Sequence, residues 1–207
     1  MIEVYGAVQS RARRVLWTLE ECGAPYVHHP VSPREANLDD AYGAINPNRK
    51  VPAIRDGELV LFESGAICLH IATKHPDAGL LPEVGTADHA RVTQWTFWTC
   101  AELEQPLWTM GKHRFALPEA HRVAAMHDVA LYEWRRPSRV LAAALADGRS
   151  FLVGDRMSVA DVMVGHTLNW ARGFEVPLGD DVLEAYLDRM IARDAFQRTN
   201  ARIAPAS

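Results

Sequence analysis

The 207-residue chain has only three cysteines, Cys22, Cys68 and Cys100, widely spaced and without a Cys-x-x-Cys pair. That excludes a dithiol redox motif and a thiolate zinc cage, and it argues against a disulfide framework. All three fall in apolar helical patterns and read as small buried hydrophobes. No apolar run approaches the roughly 20 residues of a membrane span, and no basic segment leads into an apolar one at the start. The expectation is a cytoplasmic protein without membrane contact. There is no excess of positive charge either: the net charge of −4 offers no general attraction to nucleic acid or to acidic membrane surfaces. The basic run Arg11, Arg13 and Arg14 reads as a solvated helix face, with Arg11 the one member placed to matter. Nine histidines include no His-Glu-x-x-His pair, so no metal site is expected. A Gly-x-Ser-x-Gly elbow and a glycine-rich phosphate loop are also missing, which counts against a serine hydrolase and against nucleotide use.

What is present is ordinary globular composition, 48% hydrophobic and 23% charged, arranged in two dissimilar halves. The first half alternates short strands and helices. Ile2–Tyr5 reads as a strand. Ala12, Val15, Leu16, Leu19 and Cys22 recur at helical steps and stop at Gly23. Residues 25–28 read as a second strand, followed by a short helix around 38–45. Strands at 51–55 and 59–62 flank Asp56-Gly57-Glu58, a strong hairpin signal. A helix capped by Ser64 then runs up to Pro76. The order β-α-β-α-β-β-α predicts a mixed four-stranded sheet. Residues 77–86 read as a linker, and from 87 to 207 nearly everything is helical, near 86–111, 118–147, 158–173 and 180–193. The domains expected are therefore 1–76 and 87–207.

Three segments carry chemistry. In Asn46-Pro47-Asn48-Arg49-Lys50-Val51-Pro52, a proline at the start of a strand belongs at an edge or beside a ligand. If that bond is cis, the Val51 N–H and C=O face outward, where an extended peptide can pair with them. In Phe62-Glu63-Ser64-Gly65, Ser64 stands at a helix N-terminus, where free N–H groups favour an anion, and Glu63 can meet an ammonium. The third segment, Ser158-Val159-Ala160-Asp161, is a capping box with Met157 and Val162 spaced as a hydrophobic staple; it carries structure.

Val-Pro followed by Glu-Ser, after a βαβ unit and before a helical half, resembles the cytosolic glutathione transferases, of bacterial or theta-like type, over essentially the whole chain. The resemblance implies a thioredoxin-like N-terminal domain and an all-α C-terminal domain. It implies that Val51 pairs with the cysteinyl backbone of glutathione, that Pro52 is cis, that Glu63 and Ser64 hold the γ-glutamyl group, and that Lys50 reaches the glycine carboxylate. Arg49 stands where the family commonly has glycine, and adds a second cation there. The resemblance also implies a homodimer, with segments 67–75 and 91–100 as candidate contacts.

Catalysis on this plan means making a thiolate. Bringing a thiol pKa from about 8.5 to about 6.5 takes about 2.7 kcal/mol of preferential stabilisation, within reach of one hydroxyl donor plus a helix N-terminus. Ser10, between the first strand and first helix, is the preferred donor, with Arg11 as electrostatic helper. Tyr5 is the alternative hydroxyl, Gln9 a weaker donor, and activation by backbone alone stays open. The electrophile is expected against the first helix of the second domain, among Trp98, Glu102, Trp108 and Arg114; the stretch from Trp95 to Trp134 holds four of the six tryptophans. A hydrophobic small molecule fits such a pocket. Glutathione is the co-substrate on this reading. A non-catalytic glutathione-binding protein and a glutathione-dependent peroxidase are the alternatives.

Overall fold

The computed structural model describes residues Met1–Ile203. They divide into two compact units, one from Met1 to Glu83 together with the segment from Ala192, the other Val84–Ile191.

In the first unit, β1 (Ile2–Tyr5), β2 (Tyr26–His29), β3 (Ala53–Asp56) and β4 (Leu59–Phe62) form a sheet in the order β2-β1-β3-β4. β1 pairs parallel to β2, with Ile2 opposite Tyr26, and antiparallel to β3, with Tyr5 opposite Ala53. The Asp-Gly signal makes its hairpin: β3 and β4 are joined through Gly57, whose φ of 61° suits a residue without Cβ. Strand alternation divides the side chains. Ile2, Val4 and Ile54 are buried on the face covered by α1 (Ala12–Cys22) and α4 (Ser64–Lys74), which also pack on each other. Tyr5 and Ala53 turn to the other face and join Ala36, Tyr42, Val31, Ile45 and Val51.

Two short helices, α2 (Pro33–Leu38) and α3 (Asp40–Gly43), replace the single one expected near 38–45. Ser32 and Glu35 close a capping box on the first, and Asp39 turns extended to cap the second through the Ala41 N–H. Two local caps outcompete one weakly periodic helix.

The segment from Ala192 groups with the first unit and not with the helical half expected over 87–207. Its helix α10 (Asp194–Asn200) is clamped to α1: Arg193 forms a bidentate pair with Glu21, Arg198 pairs with Glu20, and Phe196 meets Trp17 edge-on at 4.9 Å. Arg13 lies over the Phe196 ring and donates to the Val8 carbonyl, while Arg14 is fully buried. The basic run is therefore a packed face and not a solvated one.

The second unit holds α5 (Ala87–Trp98), α6 (Gln105–Gly111), α7 (Met126–Leu145), α8 (Val159–Gly173) and α9 (Asp181–Ile191). Its core helix is α8, buried continuously from Val159 to Leu168. The capping box at its start is a larger node than a cap requires. The fully buried Asp161 carboxylate accepts from the Ser158 N–H, the Ser158 hydroxyl, the Leu152 N–H and the Tyr186 hydroxyl, all within 2.7–2.9 Å. Four donors satisfy a charge that burial alone would penalise heavily.

One widened turn joins α5 to α6 and a second follows α6, closed by i→i+5 bonds from Glu104 N–H to Thr99 O and from Leu117 N–H to Lys112 O, each 3.0 Å. α7 begins at Met126 and not near 118 as the sequence suggested. Side chains take the backbone groups that a helix would have used: Arg122 donates to the Leu117 and Phe115 carbonyls, and His113 Nδ1 accepts from the Val123 N–H.

No helix among the described residues is long and apolar enough to cross a membrane, and no cluster of three or more His, Cys, Asp or Glu is arranged to hold a metal ion.

Candidate functional site

In the first unit the Ser10 loop, the Val51–Pro52 turn and the Glu63–Ser64 helix start meet through two contacts that the sequence does not advertise. The first is Gly6, at φ 144°, immediately after β1. A Cβ here would lie 2.7 Å from the Ala12 Cβ, 3.1 Å from the Val51 Cβ and 3.6 Å from the Pro52 Cα. Only glycine lets the β1–α1 loop press against both the start of α1 and the Val51–Pro52 turn. The second is Arg14, whose Nη1 donates to the Ser64 hydroxyl at 3.2 Å. Ser64 itself is 4% exposed. So α1 carries the loop with Ser10 at its N-terminal end and reaches the start of α4 from its first turn.

The Val51–Pro52 peptide bond is cis. The turn before it is fixed by Asn46, which is 3% exposed. Its amide donates to the Lys50 carbonyl at 2.6 Å while its side-chain oxygen accepts from the Asn48 N–H at 3.0 Å. The Tyr42 hydroxyl also donates to the Lys50 carbonyl, at 3.0 Å. The Lys50 backbone is thus held from two sides, and its residue is exposed. Arg49 adopts φ 52°, the left-handed region in which a glycine would be unstrained. Its guanidinium is occupied by Asp40 at 2.5 Å and by the Asn37 carbonyl. The second cation expected beside Lys50 is therefore neutralised by a carboxylate of α3.

Glu63 stands exposed at φ 72°, directly before α4. A non-glycine residue at positive φ costs on the order of 1–3 kcal/mol and is held only where its surroundings over-determine it. Here the Glu63 carbonyl accepts from the Ile67 N–H as the first bond of α4, so the strained residue doubles as its N-terminal stop.

The two candidate hydroxyls differ in their commitments. Tyr5 donates to the Glu3 carboxylate at 2.9 Å and stacks on His29 at 4.6 Å. Burial and the Glu3 carboxylate push its pKa up, away from what a thiol-activating tyrosine needs. Ser10 Oγ accepts from the Ala12 N–H at 3.1 Å, as a helix cap does, and donates to the Ala7 carbonyl at 2.7 Å. Arg11 follows at the N-terminal boundary of α1, half-buried, and Gln9 is exposed. Burial pushes the Cys22 thiol up to about 11, so it is no nucleophile near neutral pH.

In the second unit the four expected pocket residues separate. Trp98 packs edge-on against Trp95 at 4.9 Å, Glu102 lies exposed in the first widened turn, and Trp108 is half-buried in α6. Arg114, from the second widened turn, is the one that lines a cavity there, with His113, Phe174 and Glu175 among its neighbours.

Residues 10–74 match the family of glutathione S-transferase N-terminal domains, and residues 105–194 the family of glutathione S-transferase C-terminal domains. The chain is 30% identical to the glutathione S-transferase-like protein gedE of Aspergillus terreus, over 99% of this chain and 96% of that protein. It is 30% identical to glutathione S-transferase theta-1 of Rattus norvegicus, over 79% of this chain and 70% of that one. Among solved structures, the theta class glutathione S-transferase of Xanthomonas axonopodis pv. citri with glutathione bound superposes with a TM-score of 0.81 at 31% identity, over 96% of each chain. A thioredoxin-like domain with a mixed four-stranded sheet, followed by a helical domain of this kind, defines the class. The chain belongs to the glutathione S-transferase family.

Proposed function

We propose that the chain is a glutathione S-transferase that binds glutathione on its first unit and ionises the thiol for attack on a hydrophobic electrophile. The observation that carries this reading is the convergence on α1. Gly6 brings the Ser10 loop against Val51–Pro52, and Arg14 ties the same helix to Ser64.

On this reading Val51 pairs its backbone with the cysteinyl residue, next to the cis proline. Ser64 and the N–H groups opening α4 take the γ-glutamyl carboxylate, with the buried Arg14 cation behind the Ser64 hydroxyl, and Glu63 takes the ammonium. Lys50 meets the glycine carboxylate. Ser10 supplies the thiolate's hydrogen bond. Its oxygen keeps the Ala12 N–H while its proton moves from the neutral Ala7 carbonyl to the charged sulfur, an exchange that favours the charge-assisted bond. Arg11 and the N-terminus of α1 add positive potential. Tyr5 stays with Glu3. The reading includes a homodimer acting in the cytoplasm, where glutathione is held reduced. Light scattering at micromolar concentration tests the dimer: a monomer would refute it.

The test of function is conjugation of glutathione to an activated aryl halide. Wild type should turn over, Ser10→Ala should lose about 100-fold in kcat, the scale of one well-placed donor, and Tyr5→Phe should lose little. The Ser10–Ala7 bond favours one rival, a glutathione-binding protein that leaves the thiol protonated. Tight glutathione binding without turnover of aryl halides or organic hydroperoxides would establish that rival.

A further inference from the structure

The second unit contains a cavity of about 520 Å³ built from the end of α6, the widened turn after it, the segment Val123–Ala124 before α7, the start of α7 and the loop after α8. The volume lies in the range of small-molecule sites. Met110, Val123, Leu131, Phe174 and Val176 give it an apolar wall. That wall is fixed in advance. Phe174 is met edge-on by Trp170 at 5.6 Å and by Phe115 at 6.2 Å. Trp134 Nε1 donates to the Pro177 carbonyl at 2.9 Å, pinning the loop after α8 to α7. The Arg122 and His113 bonds described above pin the opposite side.

Four polar groups line the same cavity: His113, Arg114, His127 and Glu175. The Arg114 guanidinium lies over the Phe174 ring, 5.8 Å from its centroid, and makes no hydrogen bond or ion pair among the described residues. The His127 ring and the Glu175 carboxylate make none among them either, although Arg114 and Glu175 carry opposite charges and share the cavity. His113 accepts at Nδ1, which leaves its Nε2–H as a donor. Donors outnumber acceptors, and the strongest of them is a guanidinium already laid on an aromatic face. A planar apolar body with a carboxylate satisfies both features: the ring continues the Phe174 wall and the carboxylate takes the Arg114 fork.

We propose that this cavity is a binding site for aromatic carboxylic acids. It goes beyond the thiolate chemistry proposed above and does not depend on it, because the whole site lies within the helical unit. Glu175 then acts as a selectivity element that weakens anions and rejects those with a second charge.

The test is calorimetric titration of the full chain, without glutathione, with 2-naphthoate and with its neutral methyl ester. The acid should bind about tenfold tighter than the ester, the scale of one charge-assisted hydrogen bond. Arg114→Gln should erase that preference, and Glu175→Gln should tighten the acid by about two- to threefold. Ala124→Trp, an exposed change that fills the cavity, should abolish binding of both compounds. Equal binding of acid and ester would overturn the proposal. So would acid binding that survives both Arg114→Gln and Ala124→Trp, or no binding of either compound. Repeating the titration with saturating glutathione, whose own affinity is read separately, keeps a failure here distinct from a failure of the thiolate reading.

Discussion

The Ser10–Val51–Ser64 region and the Asp161 node are both tightly constrained, but by different means. Around Gly6, Arg49 and Glu63 the backbone itself is bent into conformations that most residues avoid, with φ of 144°, 52° and 72°. Around Asp161 an ordinary helix start is locked by one side chain that collects four donors. The first arrangement leaves Lys50 and Glu63 exposed; the second turns both carboxylate oxygens of Asp161 inward. Strain that presents groups to a ligand suits a binding site, whereas complete internal satisfaction suits a fold anchor.

The comparison breaks if both regions respond alike to mutation. The largest effect should come from Asp161→Ala, which strands four buried donors and should cost about 3–5 kcal/mol. Denaturant titration should show a sharply lowered midpoint, while whatever remains folded still binds glutathione. Gly6→Ala should cost about 2–3 kcal/mol, because its Cβ would meet the Ala12 Cβ at 2.7 Å and its φ of 144° strains any side chain. Unlike the Asp161 variant, its folded fraction should lose glutathione affinity by tenfold or more (about 1.4 kcal/mol), read by calorimetry. Asn46→Ala removes the brace under the Lys50 carbonyl and should cost about 1–2 kcal/mol, with weaker glutathione binding and little change in kcat.

The smallest effect concerns Asp56, paired with Lys74 and with His70 at 2.9 Å. Those bonds hold its carboxyl below the usual range. A depressed folded-state pKa gives stability that is present above the unfolded value and lost as pH falls through the folded one. Asp56→Asn should therefore cost about 0.5 kcal/mol or less near neutrality and flatten the acid limb of a thermal-melting profile.

What was legible in the sequence follows the same division. Val51-Pro52, Glu63-Ser64 and Ser158 to Asp161 are local patterns whose physics is contained in a few adjacent residues. The mixed character of the sheet follows from the βαβ unit and the Asp-Gly hairpin; the order β2-β1-β3-β4 needs the pairing of β1 with β3, which no local pattern specifies. What escaped needed partners distant in sequence. Gly6 is a lone glycine until Val51 lies against it, and Arg14 is one arginine of three until Ser64 meets it. The helix from Asp194 reads as more of the helical half until Arg193 and Arg198 find Glu21 and Glu20. The aromatic-rich stretch from Trp95 suggested one pocket. The widened turns at 99–103 and 112–116 rotate its residues apart, so that Arg114 reaches a cavity that Trp98, Glu102 and Trp108 do not line.

The central claim is that the Ser10 hydroxyl turns from the Ala7 carbonyl to a bound sulfur and lowers its pKa. Ultraviolet titration of the thiolate in the glutathione complex, wild type beside Ser10→Ala, tests it most directly. The account predicts a thiol pKa near 6.5 in wild type and a return to about 8 or higher in the variant, with glutathione affinity at about pH 6, below both values, changed by less than about threefold. A wild-type complex that titrates near 8.5, or a Ser10→Ala complex that ionises as readily as wild type, would contradict it.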